Sequence, residues 1–375
     1  MRLSTLKGVN LIKLKILFII ILAVLLLTSA CTPISDVALR PRSDDGESNS
    51  SGSQEDENDP DGGNLPEQSL FIPDESEDGA GESNASASTG FDNLFGEPLL
   101  SSPATISSPY GACYNLSGDI FLYGKKADER VYPSGAAKLL TALTAYNSVS
   151  SDFIFKVGKE TDMVQAGSGV AGLKEEQELG LEAILTALLI PVGNDAAYTI
   201  SVNTARALSN DYNNAGNNEM NDYFIRLMNN YAQNLGCQNS NFSNPDGYHA
   251  SNNYSTVRDL TVISAAAAKN PLISGICGKK EHQVTFASGE EAEWSSNNGF
   301  LTLDGWDIRG LKIGYTDESS FSAQVLAYIN GSEYIITVSG SDTAAQRERD
   351  VIRLLELARD GADNFNEDVI SVYED

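Results

Sequence analysis

Between Asp44 and Pro98 the chain carries sixteen acidic residues and no Lys or Arg, set among Ser, Gly, Asn and Pro. Such a stretch cannot bury enough apolar surface to offset the entropy of ordering it, and its like charges repel. It is expected to be disordered and extended, a spacer instead of a fold. A compact domain must therefore lie beyond it, with room among the 375 residues for one large unit. Within the spacer, Glu57–Gly62 has some of the carboxylate spacing of a calcium loop. Gln68 stands where a bidentate Glu is needed and no helices flank the segment, so it reads as solvated linker.

The same acidity restricts partners. A net charge of −27 excludes nucleic acid, whose binding depends on Lys and Arg neutralising phosphates, and it argues equally against adsorption to anionic lipid through basic patches. The only histidines, His249 and His282, make a His-ligated metal centre or a Ser-His-Asp triad a poor expectation. No metal and no cofactor is expected.

Ahead of the spacer, Arg2, Lys7, Lys13 and Lys15 precede the apolar run Ile16 to Leu27 and then Thr28-Ser29-Ala30-Cys31. The run is short for a membrane span, and its small-residue exit fits a secretory signal. A cysteine directly after small residues resembles the lipobox of bacterial lipoproteins, although Thr28 stands where Leu is commoner. That resemblance implies a signal peptide over 1–30, a lipidated Cys31 heading an acidic linker to 104, a domain over 105–360 and an acidic tail over 361–375. An uncleaved signal anchor is the alternative. Both place the rest of the chain on the outer side of a bacterial cell membrane. Cys113, Cys237 and Cys277 then remain, allowing at most one disulfide and matching no zinc spacing. They read as structural.

Order is expected from about Tyr110. Asp119–Gly124 reads as a strand ending in a turn, and Ala136 to Tyr146 and Leu181 to Leu189 as apolar helices. Asn221 to Leu235 is an amphipathic helix by the spacing of Phe224, Leu227, Met228 and Tyr231. Two alternating strands, Ser322 to Ile329 and Glu333 to Ser339, flank Asn330-Gly331, a strong hairpin signal. A last helix runs from Thr343 to Arg359. Strands at both ends with helices between imply one sheet closed by distant segments and covered by helices.

Five ordered segments resemble the D-alanyl-D-alanine carboxypeptidase family of penicillin-binding proteins. Tyr132-Pro133-Ser134-Gly135-Ala136-Ala137-Lys138 resembles its Ser-x-x-Lys helix, Val192-Gly193-Asn194 its Ser-x-Asn segment, and Lys312-Ile313-Gly314 its Lys-Thr-Gly strand. Asn241–Gly247 and Tyr254–Leu260 also look like family segments. The resemblance implies an α+β fold of the β-lactamase/transpeptidase type, a mainly antiparallel sheet with helices on both faces plus a helical subregion. It also implies a mechanism. The first serine attacks the carbonyl between two D-alanines, a lysine one turn on takes its proton, the second serine relays it, and the Lys-Thr pair holds the terminal carboxylate.

Placed on this chain, Lys138, Asn194, Lys312 and Gly314 keep the polar scaffold, as candidate ligand contacts. The hydroxyls are gone, with Gly135 at the nucleophile position, Val192 at the relay and Ile313 at the carboxylate contact. The expectation is an inactive homologue that recognises peptidoglycan stem peptides or an envelope protein. One alternative is an active carboxypeptidase with Ser134 as a shifted nucleophile, since a spacing of four also meets Lys138 on a helix. The competing role for Ser134 is an N-cap. A third possibility is a purely structural or regulatory protein with Val192 and Ile313 filling the cleft. Lys312 is balanced between a ligand contact and a solvent-facing edge lysine, Asn194 between a ligand contact and a backbone tie. Lys138 is expected to meet water or an acid, and His249 to lie on a surface loop.

Overall fold

The computed structural model describes residues 106–209 and 215–368, with side chains to Gly361 in the last helix. The signal peptide, Cys31, the spacer and the end of the acidic tail lie outside the described residues.

In chain order, β1 (Tyr110–Asn115), β2 (Ile120–Lys125) and β3 (Arg130–Val131) lead through a 3-10 turn, Ser134–Ala136, into α1 (Ala137–Ser148). Then come β4 (Ile154–Lys156), β5 (Glu178–Gly180), α2 (Leu181–Leu189), α3 (Asn194–Leu208) and α4 (Asn217–Asn234). After β6 (Ser255–Thr256) follow α5 (Val257–Lys269), α6 (Pro271–Cys277), β7 (Glu281–Thr285) and β8 (Glu291–Ser295). The chain closes with β9 (Asp307–Thr316), β10 (Ser320–Ile329), β11 (Ser332–Ser341) and α7 (Ala344–Asp368).

The main sheet is wholly antiparallel, in the order β2-β1-β11-β10-β9, so the first strands of the domain pair with the last. Its β10–β11 hairpin turns at Asn330 and Gly331, both at positive φ (48° and 88°), the backbone that an Asn-Gly two-residue turn supplies cheaply. Alternate residues feed two cores. Tyr114, Phe121, Leu311 and Ile335 meet α1 and α5 on one side, while Cys113, Val325, Ile336 and Val338 meet Val351, Leu354 and Leu355 of α7 on the other. Helices thus cover both faces, and the strands are buried on both sides as such layering requires.

Helix α1 lies at the centre. Residues 137 to 145 are all buried, so its burial is set by surroundings on every side and not by one apolar stripe. Helix α7 continues to Asp368, so the segment assigned from 361 to an acidic tail begins as helix. The three cysteines are buried and free, with no bridge among them.

Candidate ligand-binding cleft

The 3-10 turn before α1, the start of α3, the loop Asp246–Tyr248 and the edge strand β9 meet around a cleft of ≈ 560 Å³. All eight site residues named from the sequence within the domain line it: Ser134, Gly135, Lys138, Val192, Asn194, Lys312, Ile313 and Gly314.

Ser134 is not an N-cap. It sits inside the 3-10 turn at φ 48°, while α1 is entered through Ala136 without any side-chain cap. Its carbonyl is closely approached by Gly247, itself at φ 80°, a place where any Cβ would collide with backbone. On its other side the Ser134 hydroxyl faces Gly314. A Cβ there would lie 2.5 Å from Ser134 Oγ and 2.6 Å from the Gly135 nitrogen.

A side chain at Gly135 would require β9 to shift. A Cβ built on it would lie 2.5 Å from the carbonyl oxygen of Ile313, a distance that real Cβ atoms do not show against backbone. The turn that should present a nucleophile is instead packed onto β9.

Lys138 is 3% exposed and donates to the backbone carbonyl of Asp246. One turn on, Thr141 donates to the carbonyl of Pro245 at 2.6 Å, so this face of α1 is clipped to the loop. No hydrogen bond among the described residues joins Lys138 to Ser134. Burial pushes the Lys138 ammonium below the usual lysine range, against the pull of the Asp246 and Asp195 charges.

Lys312 does not face solvent, as an edge-strand lysine would. It is also 3% exposed, and its Nζ donates at 2.9 Å to Leu189 O, a carbonyl left over at the end of α2. Burial, reinforced by the charge of Lys138, pulls it down to about 8.

Asn194 opens α3. Its backbone N–H donates to Gly169 O, while its side-chain Oδ1 is buried with no partner among the described residues. The neighbouring Asp195 shapes the cleft wall by accepting the N–H groups of Ala171, Gly172 and Leu173, and Trp294 Nε1 donates to Ala171 O from β8.

Neither Val192 nor Ile313 fills the cleft. Val192 stands 38% exposed at its rim, against Gly169, and Ile313 packs partly into the core beneath α7.

The structure adds Arg347 to the cleft, gives Asp246 a place in it, and locates His249 beside it. Arg347, in the first turn of α7, reaches the cleft beside Phe321, donates from Nη1 to Ser322 O at 3.5 Å, and keeps a buried Nε with no hydrogen-bond partner among the described residues. Asp246 lines the floor with Oδ2 likewise unpartnered. His249, expected on a surface loop, is half-buried with its ring edge-on to Tyr132 at 4.5 Å. No sequence pattern flagged Arg347; only the pairing of β10 with β11 carries the start of α7 to the cleft.

A D-alanyl-D-alanine carboxypeptidase family model matches residues 112–343. A Bacillus subtilis D-alanyl-D-alanine carboxypeptidase, DacF, is 26% identical over 63% of this chain, and the match spans 58% of its own length. A Streptomyces D-alanyl-D-alanine carboxypeptidase is 28% identical over 67% of the chain and 87% of its own. The crystal structure of the Streptomyces K15 DD-transpeptidase superposes with a TM-score of 0.61 at 27% identity, covering 68% of this chain and 97% of that one.

Proposed function

The chain belongs to the D-alanyl-D-alanine carboxypeptidase family, and we propose that it is a non-catalytic member, an envelope lipoprotein whose cleft holds the peptidoglycan stem peptide without cleaving it. The observation that carries this reading is the contact between Gly135 and the Ile313 carbonyl. Where the family resemblance places a serine, there is no side chain, and one would fit only if the backbone at Ile313 shifted. The relay and carboxylate-contact hydroxyls are replaced too, by Val192 and Ile313, and acyl transfer needs nucleophile, base and relay within hydrogen-bond reach of one another.

What remains is suited to holding a ligand. Lys138, Lys312 and Arg347 supply positive charge for a peptide carboxylate, and Arg347 adds a planar guanidinium. Asn194 Oδ1 and Asp246 Oδ2 offer buried acceptors for amide N–H groups, and a buried polar atom is stabilised by any partner that completes it. That the cleft is open, with Val192 at its rim, favours binding over a purely structural role. Attachment by lipid at Cys31, outside the membrane, is part of the same proposal and rests on the N-terminal sequence.

The second reading, catalysis from Ser134, is favoured only by the position of its hydroxyl on the cleft wall. Against it, Lys138 is engaged by the Asp246 carbonyl. Intact-mass measurement after incubation with a reporter β-lactam, together with D-alanine release from a stem-peptide mimic, separates the two. No adduct and no release, with saturable non-covalent binding of the peptide, is the expected result. A stoichiometric adduct mapping to Ser134, with turnover, would overturn the proposal.

A further inference from the structure

The described residues begin at Ile106, and they begin beside the cleft. Ser108 Oγ lies 2.6 Å from Ser341 Oγ, and Ser341 pairs across β10–β11 with Phe321, which lines the cleft. Ser107 and Ser108 donate to Asp350, which stands one helical turn along α7 from Arg347, a second cleft residue. Neighbouring strands lie about 4.8 Å apart, so the chain enters the domain only a few strand spacings from the cleft wall.

The stretch just ahead of that point is unlike the rest of the spacer. Nine large apolar residues lie between Asp44 and Thr105, and five of them, Phe91, Leu94, Phe95, Leu99 and Leu100, fall within ten positions. Asp92 and Glu97 sit among them, with no Lys or Arg. Thirteen positions separate Phe95 from Ser108. Fully extended they would span about 40 Å, so this stretch reaches the cleft with slack.

The cleft offers the matching chemistry. On a chain of net charge −27 it gathers Lys138, Lys312 and Arg347, and no ion pair among the described residues takes up any of them. Asp246 and Asp195 lie near Lys138, whereas Lys312 feels chiefly the like charge of Lys138. At the mouth, Val192, Tyr248 and Tyr315 are exposed, and Tyr315 is 54% exposed even though it rests on Phe321. Exposed apolar groups gathered around a concave site mark an interaction surface. Asp317 and Glu318, between β9 and β10, put negative charge on the mouth as well. An acidic occupant is therefore accepted only deeper, at the buried cations.

We propose that residues 91–100 of this chain occupy its own cleft, with Asp92 or Glu97 at Lys312 and Arg347 and the Phe and Leu side chains on the apolar rim, so that a stem peptide binds by displacing them. The displacement rests on the stem-peptide reading of the cleft; the docking stands without it. A second copy or a free acidic peptide meets the same chemistry, but only the attached segment meets it at an effective concentration on the order of 1 mM. At that concentration a contact of about 0.1 mM affinity is largely formed, and it weakens a competing peptide about tenfold.

Photo-crosslinking and calorimetry on the full-length chain in detergent test it. Phe95→p-benzoylphenylalanine should cross-link within one chain to peptides that contain Val192, Tyr248 or Tyr315, and Ser51→p-benzoylphenylalanine, deep in the spacer, should not. The combined change Phe91→Ser, Leu94→Ser and Phe95→Ser lies outside the folded residues and should leave the domain intact. It should raise the affinity for acetyl-L-Lys-D-Ala-D-Ala about tenfold over wild type. A synthetic peptide of residues 88–101 should bind that variant and weaken as salt is added. Absence of the Phe95 cross-link, or cross-links only between chains, would overturn the inference. So would equal tripeptide affinity in variant and wild type, and each of these leaves the stem-peptide reading standing. A tripeptide that binds neither chain, beside an intrachain cross-link and a bound synthetic segment, would uphold the docking and remove the stem peptide instead.

Discussion

Asp350 and Asp246 are both 2% exposed, yet the regions around them are built to opposite rules. Asp350, on α7, is saturated. Its carboxylate accepts Ser107 N at 2.9 Å, Ser108 N at 2.7 Å and Ser108 Oγ at 2.5 Å, and Lys125 closes over the same segment by donating to Ile106 O and Ser108 O. Around Asp246, polar atoms are left over: its own Oδ2, Asn194 Oδ1 and Arg347 Nε. Buried polar groups in folded proteins are generally paired, so the three atoms left over among the described residues of the cleft are groups that a ligand there could complete. The first region fastens the entrance of the domain to its last helix. The second is the cleft.

The comparison breaks most easily at the clamp. Asp350→Ala should cost roughly 3–5 kcal/mol, because it strands the N–H groups of Ser107 and Ser108, takes one of two partners from the Ser108 hydroxyl and removes the charge they share. Urea denaturation reads this directly, and peptide affinity of the protein that remains folded should not move. A loss below about 1 kcal/mol would mean that saturation does not report on stability here.

Titration of Lys312 gives the next largest effect. Its folded value of about 8 lies below the ordinary 10.5, so between those values the unfolded chain binds more protons than the folded one. Stability should therefore rise with pH across that window, by up to about 3 kcal/mol, and Lys312→Met should lack the rise. Ligand binding should run the other way. A carboxylate-ended peptide should weaken as pH increases through about 8, when the ammonium is lost. A flat affinity between pH 7 and 9 would remove Lys312 from the contact.

Gly135→Ser sharpens the comparison from the catalytic side. Forcing a side chain against the Ile313 carbonyl should destabilise the domain by about 1–3 kcal/mol without restoring acylation, as intact mass after β-lactam treatment will show. The smallest stability change belongs to Asn194→Ala. With no partner to lose, it should stay within about 0.5 kcal/mol of wild type, while stem-peptide affinity falls several-fold in calorimetry.

Much of the framework was legible in the residues. The alternation around Asn330-Gly331 located the β10–β11 hairpin, and the apolar runs located α1 and α2 nearly to their ends. Helix α3 was not assigned, since its buried positions mix Ala196, Ala197 and Ile200 with Thr199, Ser201 and Thr204, leaving no apolar stripe to detect. Helix α5 has a start readable in the sequence, an N-cap at Thr256, whose hydroxyl accepts the N–H of Asp259. At the cleft, the likeness located the turn before α1, the start of α3, the Asp246 loop and β9, but not the 167–169 loop or the start of α7. It did not reveal what each side chain does there: spacing along a chain says nothing of the loop at Asp246 that takes up Lys138, or of the helix end at Leu189 that takes up Lys312. Ser134 misled for a related reason. Its place before an Ala-rich run suits a cap, but the contact with Gly247 fixes a left-handed backbone that no cap adopts.

The packing of β9 onto Gly135 also bears on how this chain descends and where it can go. A single codon change that reinstates serine at 135 meets a strand backbone, not a vacant slot. Under the non-catalytic reading proposed above, a serine regained at 135 would serve only once the backbone at Ile313 had also shifted, and the contact would then act as an evolutionary ratchet.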